Sequence, residues 1–222
     1  MSEIQLIEVK EDILSDNDAA AKELRDALKK EKTFMVNLMA SPGAGKTSLL
    51  LQTIRALRND LKIAVIEADI DSMVDAEKIA ETGIQSIQLR TGGFCHLDVS
   101  MVKKGLAALD TSSLDVIFIE NIGNLVCPAE FDTGATMDIM ILSVPEGDDK
   151  PLKYPLMFSK CQALIVNKMD YLPLSDFSVE RMEKRVRRLN PNIQIFTVSC
   201  KTGQGIDPWV EWLLAAVRSH IK

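Results

Sequence analysis

The stretch Ser41-Pro-Gly-Ala-Gly-Lys-Thr47 decides how this chain is read. It joins an apolar run over residues 33–39, which reads as a strand, to residues 46–59, where Leu49, Leu50, Ile54 and Leu57 recur at helical spacing. In a strand, glycine-rich turn, helix sequence, successive backbone N–H groups and a helix N-terminus can surround a phosphate. Gly43 and Gly45 let the backbone approach the anion with no Cβ in the way, and Ser41, Ala44 and Ser48 complete the loop. Lys46 is placed to reach the β and γ phosphates, and the Thr47 hydroxyl to bind Mg2+. Ala40 stands where the pattern G-x-x-x-x-G-K-S/T has its first glycine, but Gly43 still supplies a flexible position.

Outward from this loop, short apolar β-rich runs recur at 62–68, 86–89, 114–119, 137–144, 162–166 and 193–198. Helical patterns at 99–109, 178–189 and 208–220 separate several of them. Apolar strands alternating with helices predict a mainly parallel sheet with helices on both faces, a three-layer α/β/α P-loop NTPase. Residues 33–222 form one such domain. Residues 1–32 are expected as an N-terminal helical segment packed on it, amphipathic and charged over 16–32. The clearest long loop is 144–155. Trp209 and Trp212, three apart on the last helix, are assigned to core packing.

The 222 residues allow one well-buried core, and the net charge of −6 disfavours broad binding to nucleic acid or anionic membrane. Arg181, Lys184, Arg185, Arg187 and Arg188 cluster on a predicted helix and read as a solvated face. No apolar run is long enough to span a membrane. The start Met1-Ser-Glu-Ile-Gln has no export pattern, so a cytoplasmic location is expected. The four cysteines, at 95, 127, 161 and 200, are irregularly spaced and suit buried thiols, metal ligands or redox groups better than a disulfide framework.

Two acidic places fit a bound Mg2+ and γ-phosphate. Leu114-Asp-Val-Ile-Phe-Ile-Glu120 is an apolar strand ending in a carboxylate, with Gly123 after it. Glu67-Ala-Asp69-Ile-Asp71 ends the strand after the phosphate-loop helix, and Asp75 follows. Ligands of open parallel sheets sit at the carboxyl ends of strands. Glu120 and Asp69 are the chosen magnesium carboxylates; Asp71 and Asp75 are as well explained as helix caps.

The base follows from Asn167-Lys-Met-Asp170, which resembles the N-K-x-D motif of GTPases. The Asp170 carboxylate accepts from guanine N1–H and the exocyclic amine; adenine lacks that donor pair and would leave the carboxylate unpaired. By the same resemblance Lys168 lies on the purine face and Asn167 braces the phosphate loop. Val198-Ser199-Cys200-Lys201-Thr202 resembles the last GTPase motif, with Cys200 where alanine is usual. GTP and GDP are the expected ligands.

Cys95-His96 and Cys127-Pro128 both follow predicted strands, so they can meet near the γ-phosphate end of the site. Two thiolates and an imidazole suit zinc or nickel, three being fewer than a closed structural site needs. On spacing alone, two free thiols and an unrelated histidine are the favoured reading. Cys161 and Cys200 read as structural.

The order phosphate loop, Glu-Ala-Asp, Gly-Gly-Phe-Cys-His, Glu-Asn-Ile-Gly-Asn-Leu-Val-Cys-Pro and Asn-Lys-Met-Asp, over residues 33–205, resembles the HypB family of nickel-insertion GTPases. The resemblance implies GTP hydrolysis served by Lys46, Thr47, Asp69 and Glu120. It also implies Ni2+ or Zn2+ at Cys95, His96 and Cys127 and a nucleotide- or metal-dependent homodimer. The hydrogenase large subunit and other maturation proteins become the expected partners. Lys150 and Lys153 can complete a neighbour's phosphate site in a dimer, but a solvated lysine is the favoured description of each. The cysteine-rich and histidine-rich N-terminal tracts of some HypB proteins are absent. Alternative readings are a GTPase chaperone for urease or for a cobalamin-dependent mutase, and a zinc-stapled dimerisation module that delivers nothing.

Overall fold

All seven residues of the first strand are buried, as a strand covered on both faces requires. The computed structural model describes residues 9–70 and 74–222. Among these the strands are β1 (Phe34–Ala40), β2 (Ile63–Asp69), β3 (Gln85–Arg90), β4 (Val116–Glu120), β5 (Met137–Ser143), β6 (Ala163–Asn167) and β7 (Gln194–Thr197). They form one parallel sheet in the order β3-β2-β4-β1-β5-β6-β7. The chain leaves β1 toward one edge and later crosses to its other side. The carboxyl end of β1 therefore lies at the switch point where such sheets open a ligand crevice.

The helices are α1 (Val9–Glu31), α2 (Lys46–Leu57), α3 (Val74–Ala80), α4 (Val99–Leu106), α5 (Cys127–Glu130), α6 (Lys150–Lys153), α7 (Pro155–Lys160), α8 (Val179–Leu189) and α9 (Ile206–Ile221). Strand alternation sorts them into two layers. Val36, Leu38, Phe118 and Ile141 pack with Leu50 and Ile54 of α2 and Trp209 and Leu213 of α9. One residue out of step, Met35, Ile117 and Ile119 meet Leu24 and Leu28 of α1 and Val102 of α4. Met140, Leu142 and Leu164 meet Phe158 of α7 and Val186 of α8. Trp209 is fully buried and donates its indole N–H to Thr53 Oγ1 at 2.9 Å.

Helix α1 begins well before residue 16, so the cap-type residues Ser15 and Asp16 lie inside it. It is fastened to the domain: Arg25 forks onto both carboxylate oxygens of Asp132 at 2.6 and 2.7 Å. Asn17 donates to the Asp132 carbonyl at 2.9 Å and accepts from Val99 N at 3.0 Å. Residues 1–8 and Asp71 fall outside the described residues.

The loop expected over 144–155 is folded. Ser143 N and Oγ both donate to Glu146 Oε2 at 2.7 Å, opening a 3-10 turn over Val144–Glu146, and α6 follows. Pro145 and Pro151 stand in the first turns of these elements, where a missing N–H costs nothing. Arg181 and Arg185 of α8 close on Asp148, so much of the basic cluster is engaged within the chain. Lys153 pairs with Asp149 at 2.7 Å. Among the described residues no helix is long and apolar enough to cross a membrane.

Candidate functional site

The phosphate loop turns from β1 into α2 through Gly45, whose φ is 101°. A Cβ on Gly45 would lie 2.3 Å from Asn167 Nδ2, so no side chain fits between the loop and β6. Asn167 is buried and ties three segments together. Its Nδ2 donates to the Ala44 carbonyl at 3.0 Å, and its Oδ1 accepts from Lys168 N at 2.7 Å and Cys200 N at 3.3 Å. Lys168 donates to the Gly43 carbonyl at 2.7 Å, with its own backbone left-handed at φ 61°.

Beside this brace lies a cavity of about 240 Å³ lined by Gly45, Ser48, Asn167, Lys168, Asp170, Tyr171, Cys200 and Lys201. Ser199 donates its hydroxyl to Asp170 Oδ1 at 2.7 Å, and Lys201 Nζ stands 3.9 Å from Oδ2. The cavity thus has a carboxylate as its acceptor and an aliphatic lysine stem beside it, the chemistry that accepts a guanine edge. Gln52 donates to the Cys200 carbonyl at 2.9 Å, and burial pushes the Cys200 thiol up to about 11, so this cysteine is inert. Cys161 is fully buried, and its thiol is likewise pushed up by burial.

A second cavity, about 310 Å³, opens over the loop and is lined by Lys46, Thr47, Asp75, Lys78 and Glu120 among others. Thr47 donates its hydroxyl to Glu120 Oε1 at 2.7 Å. Glu120 is registered opposite Glu67, and both are only 3% exposed. Burial raises Glu120 to about 7 against the pull of the Thr47 hydroxyl and Lys46. Burial, then the charges of Glu120, Asp69 and Asp75, raises Glu67 to about 8. The Oε2 atoms of both are buried without a hydrogen-bond partner. Two buried carboxylates with orphaned oxygens suit a divalent cation, since such groups are otherwise costly to ionise. Asp69 ends β2 two residues beyond Glu67, outside the lining of this cavity.

The segment after β4 connects this cavity to the sulfur ligands. Gly123 lies against the phosphate loop: a Cβ there would sit 2.9 Å from Pro42 N. Cys127 then opens α5. Cys95 Sγ lies 3.1 Å from Cys127 Sγ and 3.9 Å from His96 Nδ1, and the three ligand atoms all lie within 4.8 Å of one another. The His96 ring stacks on Phe131 at 3.9 Å and 22°. Burial lowers its pKa, against Asp98 and Glu130, which favours the neutral imidazole that a metal needs.

Residues 34–197 match the family model described as CobW/HypB/UreG, nucleotide-binding domain. The hydrogenase maturation factor HypB of Rhizobium leguminosarum bv. viciae is 46% identical over 223 residues, covering 100% of this chain and 75% of that protein. The chain belongs to the HypB family. The Escherichia coli K12 HypB is 42% identical over 96% of this chain and 73% of its own. The crystal structure of HypB from Helicobacter pylori in complex with nickel aligns at a TM-score of 0.87 and 36% identity, over 93% of this chain and 97% of that one. HypB from Archaeoglobus fulgidus aligns at 0.85 and 34% identity, over 91% and 99%. As a HypB protein, the chain is a P-loop GTPase of hydrogenase maturation.

Against this HypB frame, the structure brings together the phosphate-loop residues, Thr47 with Glu120, Asn167, Asp170 and Ser199, and Cys95, His96 and Cys127. Two acids carry more of the site than the sequence reading gave them, Glu67 beside Glu120 and Asp75 in the cavity lining. Glu67 follows the strand alternation of Ile63 and Val65, which places it on the α2 face with Glu120; that parity was the available signal. Asp75, read equally as a cap, lines the cavity and pairs with Lys78 at 2.8 Å. Phe131 has no linear signal, because its role depends on where α5 sets its ring.

Proposed function

We propose that this chain is a GTP-gated nickel carrier that assists nickel insertion into nickel–iron hydrogenase. The observation that supports it most is a connection. Glu120, bonded to the phosphate-loop Thr47, and Cys127, one of three clustered metal-ligand side chains, lie on one short segment pressed against Pro42. A change at the γ-phosphate is then felt at a sulfur ligand. The three side chains leave a coordination position open, which suits a cargo ion that must leave again, and Ni2+ and Zn2+ both accept this set. In a two-fold homodimer, a second copy completes the ligand shell.

Thr47, Glu120 and Asp69 would hold Mg2+ in this reading, with Glu67 beside them; bound there, it would supply positive charge for the transferring phosphoryl group. Water attacks the γ-phosphorus in line and the bond to the β-phosphate oxygen breaks. Lys46 and the loop amides stabilise the charge that develops. Asp170 selects guanine, with Asn167, Lys168, Ser199, Cys200 and Lys201 around it.

The test is Ni2+ and Zn2+ binding to wild type and to a Cys95→Ala/Cys127→Ala variant, each with GDP and with a non-hydrolysable GTP analogue. Metal should bind wild type and not the variant, and the nucleotide should change affinity or dimerisation. Equal binding by both proteins removes the metal site and leaves a GTPase. Two Helicobacter relatives named hydrogenase/urease maturation factor, 42% and 39% identical, favour urease as a second client. Transfer of nickel to each apo-enzyme separates the two.

A further inference from the structure

One polar side chain on the segment between Glu120 and Cys127 joins the Cys95 loop to the backbone just before Cys127. Asn124 is half-buried. Its Oδ1 accepts a hydrogen bond from Val126 N at 2.9 Å, which fixes the orientation of the carboxamide. Nδ2 then faces the other way and donates to the Cys95 carbonyl at 3.2 Å. Val126, whose amide this carboxamide holds, is the residue that precedes Cys127.

The Cys95 side needs such a tether. Its loop turns through Gly92 and Gly93 at φ 61° and 112°, a permissive backbone, and Cys95 itself is exposed. From within, the turn is closed by the Thr91 hydroxyl donating to the Phe94 carbonyl at 2.8 Å and by a long bond from Phe94 N to the Thr91 carbonyl at 3.5 Å. The bond between Asn124 and Val126 is a local Asx turn and uses only the carboxamide oxygen. The nitrogen, which reaches a residue on a separate loop, has no part in that turn. Groups that orient metal ligands from behind commonly set affinity by 10–100-fold.

We infer that Asn124 is a positioning residue of the metal site: its carboxamide clamps the Cys95 loop to Cys127 so that both sulfurs meet one ion. The inference rests on the reading that Cys95, His96 and Cys127 bind metal. Because Asn124 lies on the segment that starts at Glu120, the clamp also carries any movement of that segment to Cys95. The segment therefore holds one ligand directly and a second through Asn124.

The test compares wild type, Asn124→Ser, Asn124→Ala and the Cys95→Ala/Cys127→Ala variant as full chains. Serine keeps an oxygen for the Val126 amide and cannot span to Cys95, so it separates the turn from the clamp. Ni2+ affinity is measured by competition with a chromophoric chelator, and sulfur-to-nickel charge transfer by near-ultraviolet absorption. Melting temperature and GDP affinity report on the fold. Both Asn124 variants should lose about 10-fold or more in nickel affinity and show a weakened charge-transfer band, with GDP affinity kept. Asn124→Ser binding nickel with wild-type affinity and spectrum, while the double cysteine variant does not bind, overturns the clamp alone. Equal binding by wild type and the cysteine variant overturns the metal site itself, and the clamp with it.

Discussion

Thr47 and Glu120 are joined directly, hydroxyl to carboxylate at 2.7 Å, across residues that begin α2 and end β4. The bond occupies Oε1 and leaves Oε2 buried without a partner. The threonine hydroxyl thus takes a place that a bound cation and its waters would share. Glu120→Gln keeps an oxygen for the hydroxyl and removes the charge. We expect GTP turnover to fall about 100-fold, a loss typical of removing one electrostatic group from such a site, and the half-saturating Mg2+ concentration to rise. Phosphate release measured against Mg2+ at saturating GTP checks this. Turnover within two-fold of wild type removes Glu120 from the reaction.

Glu120 and its neighbour across the sheet, Glu67, predict how stability responds to pH. Glu67 rises from 4.5 to about 8 and Glu120 from 4.5 to about 7, in both cases mainly through burial. The folded chain therefore holds protons that the unfolded chain has released. Stability from these groups is fully present below the unfolded carboxylate range and is lost as pH climbs toward 7 and 8. The melting temperature of nucleotide-free protein should fall across this window. Glu67→Gln should flatten the slope. The added stability from Mg2+ and GDP should grow with pH, since binding releases the protons. A melting temperature that rises between pH 5.5 and 8 contradicts the assignment.

The fold was legible because apolar runs such as Leu38-Met39-Ala40 and Ile139-Met140-Ile141-Leu142 have few alternatives to a strand buried on both faces. Short helices were not legible: α5 and α6 are each a single turn opened by a proline, and local pattern cannot separate them from loop. The motif residues announced themselves by spacing. Glu67 did not, because it shares strand parity with Asp69, and its distinction is a neighbour in the next strand, Glu120, which only the sheet register supplies. Phe131 and Asn124 act through the meeting of loops distant in sequence, which no window contains.

In the proposed reading Asp170 is the acceptor for guanine, while its Oδ1 already takes the Ser199 hydroxyl. Asp170→Asn places an N–H where guanine also presents donors, so one buried hydrogen bond becomes a clash. Xanthine has a carbonyl in place of the exocyclic amine and can accept from that N–H. GDP affinity should fall at least about 100-fold, and xanthosine diphosphate should bind the variant better than GDP does. Displacement of a fluorescent nucleotide measures both. Unchanged preference for guanine would mean that another group reads the base.

Behind β1 runs a buried chain of amides. Asn121 accepts from Ile122 N at 2.9 Å and donates to Asn37 Oδ1 at 3.0 Å, and Asn37 donates to Asp138 Oδ1 at 2.8 Å. Asn37 is 1% exposed and Asn121 fully buried, so no bulk water replaces a lost partner. Asn37→Ala strands one donor and one acceptor and should cost about 2–3 kcal/mol, read as a lower urea midpoint at unchanged slope. Asn37→Asp still accepts from Asn121 but sets a second carboxyl against Asp138, which burial already raises to about 6. One of the two must then carry a proton in the folded state. That variant should lose more stability at pH 8 than at pH 5.5, whereas the alanine variant's loss should be much less dependent on pH. A loss below about 0.5 kcal/mol for Asn37→Ala would show that these bonds give no net stability over a trapped water in their place.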